Sequence, residues 1–139
     1  MIPPYKKGEI LPVRDGYGKA LLDLAATHRN VIVLDADLAA STRSNWFAAE
    51  YPEKFINVGI AEQNMVCVAA GLSLTGKIPF VTTYAVFVTG RAFDQIRNTV
   101  CYSNLNVKIV GSHGGLSVGP DGGSHQAVED IALMNVLPN

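Results

Sequence analysis

Charge, cysteine and long hydrophobic runs are all scarce in this 139-residue chain. Only 17% of the residues are charged, the formal net charge is −1, and no basic cluster occurs beyond Lys6-Lys7. Nucleic-acid binders draw their affinity from concentrated positive charge, so that class is excluded. No apolar run approaches the roughly 20 residues of a membrane-spanning helix. The opening "MIPPYKKGEI" lacks the apolar core of a signal peptide, so a cytoplasmic location is expected. The two cysteines, Cys67 and Cys101, lie in apolar, helix-like surroundings and are expected to be buried free thiols of a reducing compartment. Low charge on so small a chain also points to an oligomer. What is abundant is apolar: 48% of residues are hydrophobic, which argues against disorder over most of the length. The length suits one domain with a real core.

There is no internal repeat and no low-complexity tract. Prolines at 3, 4 and 12 mark residues 1–13 as an extended arm. From Asp15, Tyr17, Ala20, Leu21, Leu24 and Ala25 follow helical spacing that closes near His28. "VIVLDAD" is a β-branched run typical of a strand covered on both faces. "RSNWFAAEYP" reads as a short helix stopped by Pro52. "FINVG" is a second strand. A helix over Ala61 to Ala70 is expected next, with Gly71 at its C′ position. "IPFVTT" is a third strand and "GRAFDQIRNTVCYSN" a third long helix with Phe93, Ile96 and Val100 on one stripe. "VKIVG" is a fourth strand. A glycine-rich loop leads to a helix from about Gln126 to Met134, and "NVLPN" looks like the start of another strand.

Strands that alternate with helices predict an α/β fold: a doubly wound, mostly parallel sheet with helices on both faces. Functional loops in such folds follow the C-terminal ends of the strands. Asp35 and Asp37, then Gly59 and Glu62, then Tyr84 and Phe87, then Ser112 and His113 all fall at those ends. Carboxylates, aromatics and an imidazole thus collect along one edge of the sheet.

Each candidate also has a plain structural reading. In "NVGIAEQNM", Glu62 suits the first turn of a helix, where an acid complements the dipole for about 0.3–1 kcal/mol. The flanking segments read as buried, however, and an ionised carboxylate there needs a partner. Burial raises a carboxyl pKa, so such a Glu could instead offer a hydrogen bond to a ring nitrogen. Tyr84 and Phe87 are either core aromatics or a platform for a flat ring. The loop "GSHGGLSVGPDGGSHQ" holds six of the thirteen glycines, flanked by His113 and His125. Glycine permits close approach of backbone to a ligand. The spacing of those histidines matches no usual zinc pattern, and no metal site is expected on this chain. No nucleotide-cradling glycine motif is present. His125 is a helix cap or a substrate contact; Arg14 is a solvated side chain unless a ligand engages it. His28 suits a helix C-terminus and has no assigned function.

Four stretches together resemble the pyrimidine-binding domain of the transketolase family: "DADLAAST", "NVGIAEQNM", "TTYAVFVTGRAFDQIRN" and "GSHGGLSVGPDGGSHQAVED". The likeness runs in order from about Arg14 to Asn139. It implies a thiamine-diphosphate-dependent enzyme in which Glu62 hydrogen-bonds the aminopyrimidine ring nitrogen and favours the imino tautomer. That tautomer takes the proton from the thiazolium carbon. The resemblance makes Phe87 the aromatic stacked on the pyrimidine, Tyr84 its neighbour and Asp37 an acid near the thiazolium. His125 would contact the substrate near its reacting carbonyl, and Asp121 would read the adjacent hydroxyl. His113 would lie toward the sugar chain or its phosphate, and Arg14 with Ser41 would bind that phosphate.

Departures exist. Gly90 stands where long-chain transketolases carry a further aromatic, and Tyr84 replaces a more usual phenylalanine. "GRAFDQIRN" also resembles the deoxyxylulose-phosphate synthase pattern. The family's metal-binding G-D-G is absent. The resemblance therefore implies that Mg or Ca and the diphosphate are held by a partner half. The expected protein is the opening portion of the C-terminal subunit of a split transketolase, with its domain incomplete at the C-terminal end. It would act as a homodimer or heterotetramer on sugar phosphates of the pentose phosphate pathway. A deoxyxylulose-phosphate synthase-like half and a non-catalytic assembly or regulatory module are the alternatives.

Overall fold

A computed structural model describes residues 6–139. Residues 1–5 of the expected arm lie outside the described residues; residues 6–12 carry one turn, with the Glu9 N–H donating to the Lys6 carbonyl. Helix α1 (Val13–Thr27) leads into strand β1 (Val31–Asp35). Two short helices follow, α2 (Ala39–Thr42) and α3 (Ser44–Glu50), then β2 (Phe55–Asn57). Helix α4 (Glu62–Leu74) leads to β3 (Ile78–Tyr84). Two π-helical segments, Phe87–Arg91 and Gln95–Cys101, bridge to β4 (Lys108–Ser112), and α5 (Asp130–Asn135) comes last.

All pairings among the described strands are parallel, in the order β2-β1-β3-β4. Alternation along β1 sends Val31 and Val33 to one face and Ile32 and Leu34 to the other. The first face packs on α1 and α3 through Leu21, Ala25 and Phe47. The second packs on α4 and the π-helical segments through Met65, Val66, Ala69, Val88 and Ile96. Helices on both faces make the sheet doubly wound, as expected. The strand order reverses between β1 and β3, and the crevice above their C-terminal ends is where such folds bind ligands. Pro79 is tolerated in β3 because β4 begins only opposite Phe80, so no second strand needs its missing N–H.

Two glycines mark close approaches. A Cβ on Gly18 would stand 2.6 Å from the Trp46 ring, so its absence lets α1 lie against α3. A Cβ on Gly111 would stand 2.9 Å from the Ala85 backbone, which sets β4 against the helical turn that follows β3.

Several local expectations need correction. Helix α4 continues through Gly71, because Leu72 still packs on the core. The stop comes at Gly76, with φ +81, where the Gly76 N–H reaches the Ser73 carbonyl and the Lys77 N–H the Leu72 carbonyl. That is a Schellman closure. Cys67 is exposed, since the buried stripe of α4 is Glu62, Met65, Val66, Ala69 and Ala70; Cys101 is half-buried, and both thiols are free. The third helical stretch starts at Ala85 rather than Gly90. The last helix starts at Asp130 rather than Gln126, because the backbone of Ala127 is committed to an antiparallel bridge with Gly115. Residues 136–139 turn instead of forming a strand: the Leu137 N–H bonds the Met134 carbonyl.

Candidate functional site

The residues that matter stand where the strands end. Beyond β2 the chain turns at Gly59, at φ +72, whose N–H is held by the Asn57 side chain. The turn delivers Glu62 as the first residue of α4 with only 4% of its surface exposed. Its Oε1 accepts a hydrogen bond from Arg91 Nη1 at 3.0 Å. The partner that a buried carboxylate requires is thus supplied from 29 positions downstream.

Tyr84 closes β3 and Phe87 opens the π-helical stretch. Their rings are parallel within 8°, with centroids 5.9 Å apart. π-Bulges concentrate at functional sites, and here the wide turn begins two residues beyond the strand. Tyr84 is the hub of the site. Its ring lies 4.1 Å from that of His113, and its hydroxyl donates to Asp121 Oδ2 at 3.4 Å. His125 turns its ring edge to Phe87 at 5.2 Å and to Tyr84 at 6.1 Å. Glycines permit this folding back: Gly115, Gly119 and Gly122 all have positive φ.

His113 follows β4 with φ +53. Arg14 Nη1 lies 3.4 Å from its Nε2, and Ser112 Oγ lies 2.9 Å from its Nδ1. A guanidinium only donates, so Nε2 accepts and the imidazole is neutral. Burial, then the Arg14 charge, hold its pKa below the usual imidazole range, while Asp121 opposes them. An unfolded imidazole binds a proton more readily. This group therefore contributes stability above about pH 6.5 that is lost as the pH falls through its folded pKa. Thermal melts between pH 7.5 and 5 should show a smaller loss of stability for His113→Gln than for the parent. An equal loss would mean that the imidazole is not held neutral.

Arg14 Nη1 also donates to the Ser41 carbonyl at 3.3 Å, so Ser41 meets it through backbone rather than hydroxyl. The Arg14 Nε is buried and has no hydrogen-bond partner among the described residues. Arg14, Tyr17, Thr42, Ser112, His113 and Ser117 line a cleft of about 760 Å³ between the start of α1 and the glycine-rich loop. Asp37 stands apart: exposed, with φ +65, it accepts from Asn57 Nδ2 at 3.3 Å. Asp35 faces inward. It accepts from the Leu38 N–H and from the hydroxyls of Thr42 and Ser44, and burial raises its pKa against those bonds. Its role is to fix the chain leaving β1. Tyr17 bonds Thr82 beneath the cleft, and burial raises its pKa.

Contacts thus link Phe87, Tyr84, Asp121, His113, His125, Arg14 and Ser41, and Arg91 joins Glu62 to Phe87. The profile of the transketolase pyrimidine binding domain matches residues 10–139. The chain belongs to this family. A Methanocaldococcus jannaschii protein named for the C-terminal section of a transketolase is 54% identical over 127 residues, which is 91% of this chain and 40% of that protein. Human transketolase is 44% identical over 99% of this chain and 22% of its own length. Among solved structures, one described as a split gene transketolase, inactive β4 tetramer, superposes with a TM-score of 0.77 at 56% identity, covering 91% of this chain and 40% of that one. This transketolase pyrimidine domain therefore spans 40% or less of the relatives named here.

The residue that sequence reasoning missed is Arg91. It stacks on Phe87, with its guanidinium carbon 3.9 Å from the ring centroid, while it bonds Glu62. The only signal in the sequence was its place four residues after Phe87 on one helical face. Nothing there pointed to Glu62.

Proposed function

We propose that this chain is the pyrimidine-binding half of a thiamine-diphosphate-dependent transketolase, moving a two-carbon ketol unit from a ketose phosphate to an aldose phosphate. The observation that carries the reading is a buried carboxylate, Glu62, whose bonded partner Arg91 also sits over the ring of Phe87. A planar, nitrogen-edged ring has the shape and chemistry to fit between that carboxylate and that face. When bound, thiamine diphosphate supplies the electron sink. Glu62 would hold the ring nitrogen and set its tautomer, in surroundings whose low polarity strengthens the bond. Phe87 would carry the ring face, and Tyr84 would set the angle of Phe87. Asp37, at the exposed end of β1, is the acid assigned to the thiazolium side.

On the substrate side, His125 would meet the reacting carbonyl and Asp121 the neighbouring hydroxyl. His113, Arg14 and Ser41 would bind the phosphate. Two features support this: an Arg14 N–H that is buried without a partner among the described residues, and the cleft beside it. The diphosphate and its Mg or Ca are assigned to a second half, on a partner chain or another segment. The relative described as an inactive β4 tetramer of a split gene transketolase supports dependence on such a half. A homodimer or heterotetramer in the cytoplasm, serving the pentose phosphate pathway, is the assembly we favour.

The test is reconstitution with a diphosphate-binding chain. Calorimetry should show thiamine diphosphate binding only in the presence of that partner. The pair should convert xylulose 5-phosphate plus ribose 5-phosphate in preference to pyruvate plus glyceraldehyde 3-phosphate. The opposite preference would favour the synthase-like reading, and cofactor binding without ketose conversion the non-catalytic module.

A further inference from the structure

We infer that Arg91 is a built-in stand-in for the cofactor's heterocycle: its guanidinium takes the pyrimidine position until the cofactor binds, and must swing out before the cofactor seats. The inference rests on the reading of Glu62 and Phe87 just given.

A guanidinium is flat, weakly hydrated and edged with N–H donors. Arg91 brings Nη1 to 3.0 Å from Glu62 Oε1 and holds its guanidinium carbon over the Phe87 ring, 3.9 Å from the centroid. An aminopyrimidine offers the same two features, a flat face and a nitrogen-bearing edge. The separation from Phe87 is already that of two groups in van der Waals contact, so no ring can slide between them. Arg91 and a heterocycle are therefore mutually exclusive at this spot.

The two members of the ion pair differ in freedom. The Glu62 side chain is 5% exposed and the Arg91 side chain 51% exposed. Glu62 is fixed in the first turn of α4, whereas Arg91 has open space on its outer side. Without a ligand, Glu62 would be a buried charge lacking a partner, and Arg91 prevents that. A ligand that brings its own hydrogen bond makes the guanidinium dispensable. Binding then trades one partner for another, and the apparent affinity is the intrinsic affinity multiplied by the fraction of molecules in which Arg91 is swung away. The extra width of the π-helical turn at Phe87–Arg91 gives this exchange a local structural basis.

Arg91→Met removes the donors and the charge but keeps an unbranched side chain of similar reach. In the pair reconstituted with the diphosphate-binding chain, thiamine diphosphate should bind Arg91→Met at least about tenfold more tightly than the parent, which corresponds to about 1.4 kcal/mol. Glu62→Gln in the Arg91→Met background should erase the gain. Equal or weaker binding by Arg91→Met, with parent binding still dependent on Glu62, overturns the stand-in and leaves the proposed function intact. No binding by either, or binding indifferent to Glu62, overturns both. A second measurement needs no variant. In the parent pair with labelled arginine, the Arg91 side-chain signals shifted by the Phe87 ring current should move to solvent-exposed positions as thiamine diphosphate is added. Persistence of that shift at saturation overturns the inference.

Discussion

Glu62→Gln, assembled with the diphosphate-binding half and saturated with cofactor, is expected to lose at least about a hundredfold in kcat/KM, or about 2.7 kcal/mol of barrier. The substitution keeps the shape of the side chain and removes only its charge. A bond to a charged group is roughly twice as strong as one between neutral groups, and in a site with 4% exposure water does little to weaken it. The fold should tolerate the change, because the partner that loses its ion pair is half in solvent and can turn outward. Melting temperature and activity should therefore separate. Activity within tenfold of the parent would remove Glu62 from the chemistry. An equal collapse of both would mean that the carboxylate serves the fold.

The largest stability effect is expected at Phe47. It lies in α3 with no exposed surface, packed against Leu21, Ala25, Val31 and Val33, and its ring is 5.4 Å from that of Tyr51. Phe47→Ala removes buried apolar area and leaves a cavity that the β-branched strand residues cannot fill, at about 3–5 kcal/mol. Domains of this size are stable by roughly 5–15 kcal/mol in all, so the urea midpoint should fall steeply at unchanged slope. A loss below about 1 kcal/mol would show that α3 is not anchored to the sheet through this ring.

The strands were legible because their signal is local. Val31-Ile32-Val33-Leu34 and Phe80-Val81 announce a sheet covered on both faces, and the element alternation fixes its parallel sense. The start of the π-helical stretch was not legible: Tyr84-Ala85-Val86-Phe87-Val88-Thr89 is rich in β-formers, and tertiary packing overrides that preference. Helix α2 escaped notice because four residues carry no periodicity, and it ends in Arg43 with φ +69. That backbone is held by the Arg43–Asp15 ion pair at 2.7 Å, a contact between distant segments. The strand-end rule gathered Glu62, Tyr84, Phe87 and His113 in advance. It could not reveal that Asp35 would turn inward while Asp37 turns out, nor that Arg91 would reach Glu62. Such pairings depend on where side chains end up after folding.

The order of the strands also bears on how the chain finds its structure. No two neighbours in this sheet are joined by a tight turn: Val33 must find Phe55, Val31 must find Ile78, and Phe80 must find Lys108. Each pairing closes a long loop before any ladder bond rewards it, so no hairpin is available as a quick seed. During synthesis, β2 is the first strand that can pair with β1, and the other edge of β1 stays open until β3 has emerged. Over that interval the helices flanking it are its natural shelter from self-association.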